Sequence, residues 1–218
     1  MSKDFPERYR PYNEYLMTTF GSQFNWFEVQ KTYNGIGNSP GIYPDVAMLF
    51  ERFLARDDVQ TVVELGSGMS TLYWFLAARK HNKSVFSFEE GPEYLAMVKS
   101  LLAHYGVPTD NLNLYEFGAV PKQASLVFHD SQGATRPTFP YLHEELFRRA
   151  AFVLVDDSEN PMGEGQLITK SLADLGRYNF YLFNPVGRMD RHVLINPKDN
   201  RLRINDWVWS WRPDQVFW

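Results

Sequence analysis

The segment Thr61-Val62-Val63-Glu64-Leu65-Gly66-Ser67-Gly68-Met69-Ser70-Thr71 constrains this chain more than any other. It opens on a β-branched run of the kind that fills buried parallel strands. Two glycines then turn the chain sharply, and Leu72-Tyr73-Trp74-Phe75-Leu76-Ala77-Ala78 continues as a helix. A strand, a tight glycine turn and a helix N-terminus form the crevice in which open parallel sheets take their ligands. Gly66 and Gly68 allow both the tight turn and close approach of a ligand to the backbone. The helix behind them offers N–H groups that have no partner inside the helix.

Several sites share this outline. A dinucleotide fingerprint needs G-x-G-x-x-G, and Thr71 stands where the third glycine belongs. A P-loop needs a Gly-Lys-Ser/Thr end, which is missing. What remains is an acidic strand end, Glu64, followed by Gly-x-Gly. By itself it leaves open a NAD site or a plain αβ turn. The pattern resembles motif I of the class I S-adenosylmethionine-dependent methyltransferases, where the acidic residue and the glycine turn hold the amino-acid end of the cofactor. That ligand suits the residues physically, because Glu64 can face an ammonium and the helix N-terminus a carboxylate.

The second acidic strand end strengthens the likeness. Lys83 to Pro92 reads as a strand closing on Glu89-Glu90. A carboxylate there can accept both hydroxyls of a ribose. The frame Val85-Phe86-Ser87-Phe88-Glu89-Glu90-Gly91-Pro92-Glu93 resembles the second-strand signature of the same methyltransferases, which implies that Glu89 takes the ribose and Glu90 lies beside the adenine. The implied fold is α/β and Rossmann-like, a mostly parallel seven-stranded sheet with helices on both faces and an antiparallel terminal hairpin. The implied cofactor contacts are Glu64, Gly66, Ser67, Gly68, Ser70, Thr71, Glu89, Glu90, Phe117, Gly118 and Asp130.

At 218 residues with 44% hydrophobic and 16% aromatic content, the chain can bury a large core, and it contains no cysteine. Disulfides and thiolate metal sites are therefore excluded. No run is long and apolar enough for a membrane span, and the first residues lack a signal-peptide core. With a net charge of −4 and scattered Lys and Arg, a phosphate-tracking face is not expected. The expectation is a cytoplasmic protein that uses neither nucleic acid nor membrane.

Residues 1–43 read as an aromatic, loop-rich extension, either a strap packed on the domain or a lid over the substrate pocket. Residues 44–200 read as the methyltransferase domain, with no internal repeat and no second domain. Its elements are an amphipathic helix over Pro44–Ala55, a helix over Pro92–His104 closed by Gly106, and strands over Leu112–Phe117, Ser125–Asp130 and Ala150–Asp157. Pro121-Lys122-Gln123-Ala124 is too short for a crossover helix, a departure from the family pattern. Residues 131–140 read as a loop, 141–148 and 163–175 as helices, and 179–183 with 191–195 as a closing hairpin. Residues 201–218 read as a Trp-rich tail on the same domain. Its alternation over Asp206–Arg212 suits an edge strand, a dimer surface or an aromatic wall.

Acid also ends the fourth and fifth strands, at Asp130 and at Asp156-Asp157. Crowded desolvated carboxylates repel unless something neutralises them, and a hard cation such as Mg²⁺ would do so. This resembles the metal-dependent O-methyltransferases of the catechol and macrolide-sugar type, which implies Asp130, Asp156 and Asp157 as metal ligands. In the catechol enzymes a lysine three residues after the fourth-strand Asp is the base. Gly133 stands there, leaving Asp130 and His129 as the catalytic candidates. His129 also reads as a core histidine, and His143 and His192 as structural. The expected activity is S-adenosylmethionine-dependent O-methylation of a small sugar or phenol, with a homodimer through the aromatic segments. The alternatives are a metal-independent N- or protein methyltransferase and a non-catalytic Rossmann-like module.

Overall fold

The computed structural model describes residues 5–37, 41–131, 136–157, 164–176, 181–183 and 193–197. The expectations for the 185–190 turn, Gly133, His192 and the Trp-rich tail lie outside them. Seven strands follow the order β3-β2-β1-β4-β5-β7-β6. They are β1 (Thr61–Leu65), β2 (Ser84–Glu89), β3 (Leu112–Leu114), β4 (Leu126–His129), β5 (Phe152–Val155), β6 (Tyr181–Phe183) and β7 (Val193–Pro197). β7 runs antiparallel to both strands it pairs with, β5 and β6, as the expected terminal hairpin requires. Contacts divide the chain into two compact units, Met1–Gln60 with Ser67–Leu114, and Thr61–Gly66 with Tyr115–Trp218.

The first unit holds α1 (Phe5–Phe20), α2 (Trp26–Gly37), α3 (Pro44–Leu54), α4 (Met69–His81), α5 (Pro92–His104), β2 and β3. Helices α1 and α2 correct the reading of the first 40 residues as loop. Tyr9, Tyr12 and Leu16 recur at helical spacing in α1 and are all buried, and α2 buries Trp26, Val29 and Tyr33. The apolar stripe is written largely in tyrosine and interrupted by Pro11, so it carries little periodic signal. One buried carboxylate ties three of these helices together. Glu51 of α3, with a side chain 3% exposed, accepts from Lys80 Nζ at 2.7 Å and pairs with His81 Nε2 at 2.8 Å, both on α4. It also accepts the Tyr15 hydroxyl of α1. Burial alone would raise this carboxyl, but the bonds from Lys80, Tyr15 and His81 outweigh it and hold the group below its ordinary range. Phe50 and Trp74 stack at 3.9 Å between ring centroids, packing α3 on α4.

The second unit holds β1, β4 to β7, α6 (Phe139–Leu142), α7 (Glu144–Arg149) and α8 (Glu164–Asp174). Its parallel strands are in register, with Leu65 opposite His129 and His129 opposite Val155. β4 and β5 are buried throughout and apolar but for His129, as parallel strands covered on both faces are. Between Tyr115 and Ser125 the described helical structure is a single 3-10 turn over Phe117–Ala119, so β3 reaches β4 without a full helix, as the short segment there requires.

Candidate functional site

In the first unit, the start of α4 and the end of β2 are stitched together by backbone and hydroxyl groups. The Ser67 N–H donates to Glu89 Oε2 at 2.9 Å, and the Gly91 N–H donates to Glu89 Oε1 at 2.9 Å. The Ser67 and Ser87 hydroxyls lie 2.9 Å apart, and Thr71 Oγ1 accepts the Gly68 N–H at 3.0 Å, capping α4. Burial pushes the Glu89 carboxyl above its ordinary range and the Glu90 charge adds to this, while the Gly91, Ser67 and Glu90 N–H groups pull the other way. Glu89 is thus a half-buried carboxylate anchored on the glycine turn, and Glu90 beside it is exposed. The Ser70 hydroxyl in the first turn of α4 is buried and finds no hydrogen-bond partner among the described residues.

In the second unit, the carboxyl ends of β1, β4 and β5 form one rim. The Asp130 N–H donates to the Leu65 carbonyl at 2.8 Å, and the Asp156 N–H to the His129 carbonyl at 3.2 Å. Gly66 turns away from β1 at φ +95°, and a Cβ there would stand 2.4 Å from both the Asp130 carbonyl oxygen and the Ser131 nitrogen. Only glycine lets the two backbones pass this closely. Glu64 is fully buried in β1, opposite Phe128. Phe117, just past β3, is 62% exposed and stacks on the His143 ring at 5.4 Å. His143 in turn meets the Tyr115 hydroxyl at 2.8 Å. Around Gly118 there is open space.

Two expectations are corrected here. His129 is completely buried, and its Nε2 donates to the Arg136 carbonyl at 2.7 Å. Burial, helped by the Arg136 charge, lowers its pKa to about 3. It lies between the rings of Phe139 and Phe147 and is a neutral core residue, not a base. Nor do Asp130, Asp156 and Asp157 assemble a metal site: no group of three His, Cys, Asp or Glu side chains that could hold an ion occurs among the described residues. Asp156 is buried, Asp130 and Asp157 are half-buried, and the buried Arg136 guanidinium donates to the Asp156 carbonyl. A cation supplied by the chain therefore already sits at this acidic rim.

The strand order, the glycine turn and the acidic end of β2 give the chain the Rossmann-like methyltransferase fold. Solved structures share it. An O-methyltransferase from Bacillus cereus in complex with S-adenosylhomocysteine is similar at 12% identity and a TM-score of 0.62, covering 88% of this chain and 99% of its own. TomG, an O-methyltransferase of tomaymycin synthesis from Streptomyces achromogenes, solved with S-adenosylmethionine, is similar at 14% identity and a TM-score of 0.59, covering 91% of this chain and 100% of its own. A precorrin-6y C5,15-methyltransferase from Geobacter metallireducens is similar at 15% identity and a TM-score of 0.52, covering 73% and 90%. No protein-family model matches the chain, and no curated protein matches it. No helix among the described residues is long and apolar enough to cross a membrane.

Proposed function

We propose that this protein is an S-adenosylmethionine-dependent methyltransferase that methylates a hydroxyl of a small molecule. The observation that carries the reading is the anchoring of Glu89 on the Ser67 and Gly91 N–H groups. These bonds fix a carboxylate at the lip of a glycine turn, where it can accept two ribose hydroxyls. The first turn of α4, with the Ser70 hydroxyl, would donate to an amino-acid carboxylate, and Thr71, whose N–H donates to the Gly68 carbonyl, holds that turn in place. Gly68 and Glu90 complete the proposed set of cofactor contacts in this unit, and Glu64, Gly66, Phe117, Gly118 and Asp130 stay as contacts that the sequence likeness implies.

When bound, S-adenosylmethionine supplies a methyl group activated on a sulfonium. Methyl transfer is an in-line displacement, so the chain contributes chiefly by orientation. Asp130, at the end of β4, is the proposed acceptor of the hydroxyl proton. The Asp130, Asp156 and Asp157 carboxylates do not gather into a group that could hold Mg²⁺. Similarity to two O-methyltransferases favours an oxygen acceptor, whereas the similar precorrin enzyme is a C-methyltransferase by name. Incubation with methyl-labelled S-adenosylmethionine and a panel of sugars, phenols and amines tests the reading. Label transferred to hydroxyl compounds supports it, and label found only on amines or on protein replaces it with the N-methyl alternative.

A further inference from the structure

The last turns of α2 bury few side chains, and beside Tyr33 the Tyr105 hydroxyl, just past α5, donates to Thr32 Oγ1 at 3.4 Å. Beyond Val29, Tyr33 is the one described residue of the helix that is fully buried, at 1% exposure, while Asn34, Gly35 and Ile36 are exposed. A Cβ on Gly35 would touch nothing within 4 Å, and glycine inside a helix weakens it. Tyr33 reaches the glycine turn. Its hydroxyl lies 2.6 Å from that of Tyr94, in the first turn of α5, and 3.3 Å from where a Cβ on Gly68 would stand. Gly68 is buried beneath it. Tyr94 in turn packs 3.5 Å from the Cβ position of Gly91, the residue that donates to Glu89. A segment with few buried side chains opens locally at small cost.

We propose that Tyr33 is a latch: its bond to Tyr94 holds the end of α2 closed over the Gly68 turn, and α2 must release before an adenosyl ligand can enter. The inference rests on the cofactor reading above. It adds that the N-terminal extension gates that site from the glycine-turn side. Tyr94 acts through Tyr33 and is a positioning residue.

Stopped-flow Trp fluorescence with S-adenosylhomocysteine tests this. The observed binding rate of the native chain should level off as ligand concentration rises, because opening becomes limiting. Tyr33→Phe and Tyr94→Phe each delete the same bond and keep both rings. Each should raise the plateau rate about fivefold, and the double variant should match either single one. A rate that climbs linearly without a plateau and is unchanged in both variants overturns the latch and leaves the cofactor site standing. A plateau that neither variant moves also overturns it. Absence of any binding removes the latch together with the cofactor site.

Discussion

The backbone N–H of Ser67 donates to Glu89 Oε2 at 2.9 Å, joining the glycine turn after β1 to the acidic end of β2. On the proposed reading, this hydrogen bond fixes where a ribose would be held relative to the start of α4. The same bond favours the charged form of Glu89, against the burial and the Glu90 charge that together push its carboxyl up.

The raised carboxyl of Glu89 should give binding of S-adenosylhomocysteine a pH dependence. Hydroxyls donate better to a carboxylate than to a carboxylic acid. S-adenosylhomocysteine affinity should therefore rise as pH increases through the raised value of Glu89, then level off. In Glu89→Gln the slope should vanish. Calorimetric titrations across the acid range measure both.

Gly66 should tolerate no side chain. Alanine would face positive-φ strain and clash with the Asp130–Ser131 backbone, 2.4 Å from its Cβ. Gly66→Ala should cost about 2–4 kcal/mol, seen as a lowered midpoint in urea unfolding.

Glu51 should matter for stability although it lies outside the proposed site. Glu51→Ala removes the acceptor for Lys80, Tyr15 and His81 and should cost about 2–3 kcal/mol in thermal unfolding. Its folded-state pKa is lowered, so its contribution is present above its unfolded value and is lost as pH falls through the folded one. The penalty of Glu51→Ala should therefore shrink in acid.

His129 should act on acid stability and not on cofactor binding. Its pKa falls from 6.5 to about 3, so the neutral ring is favoured in the fold. Its contribution is complete above pH 6.5 and is lost as pH falls from there towards 3, by up to several kcal/mol. His129→Gln, whose amide can still donate to the Arg136 carbonyl, should flatten that slope. It should leave the dissociation constant for S-adenosylhomocysteine unchanged, which calorimetry at neutral pH reads.

Much of this fold can be read in the chain itself. β1, its turn and β2 are legible because β-branched runs end on glycine and acid. The bounds of α5 are legible because Pro92 opens it and Gly106, at φ +64°, follows its end. Helices α1 and α2 were hidden, since tyrosine is both apolar and polar and the burial of Tyr9, Tyr12 and Tyr33 depends on tertiary partners. His129 misleads for a related reason. A histidine beside a strand-end aspartate looks like a base, but Phe139 and Phe147 seal it in, and Phe139 lies in a stretch that reads as loop. The paired acids after β5 suggest a metal, whereas buried Arg136, also within that loop-like stretch, meets the Asp156 backbone. In the candidate site, the sequence marks Glu89 and Gly66-Ser67-Gly68 as expected contacts of one cofactor, but neither the Ser67–Glu89 bond nor the Tyr33–Tyr94 bond can be read from it.

The most direct measurement is calorimetric titration of S-adenosylhomocysteine into the native protein and into Glu89→Ala. The account predicts one-site binding by the native chain and a loss of at least about tenfold in the variant, with both proteins folded. No heat of binding at millimolar ligand, or equal affinity in the two proteins, would contradict it.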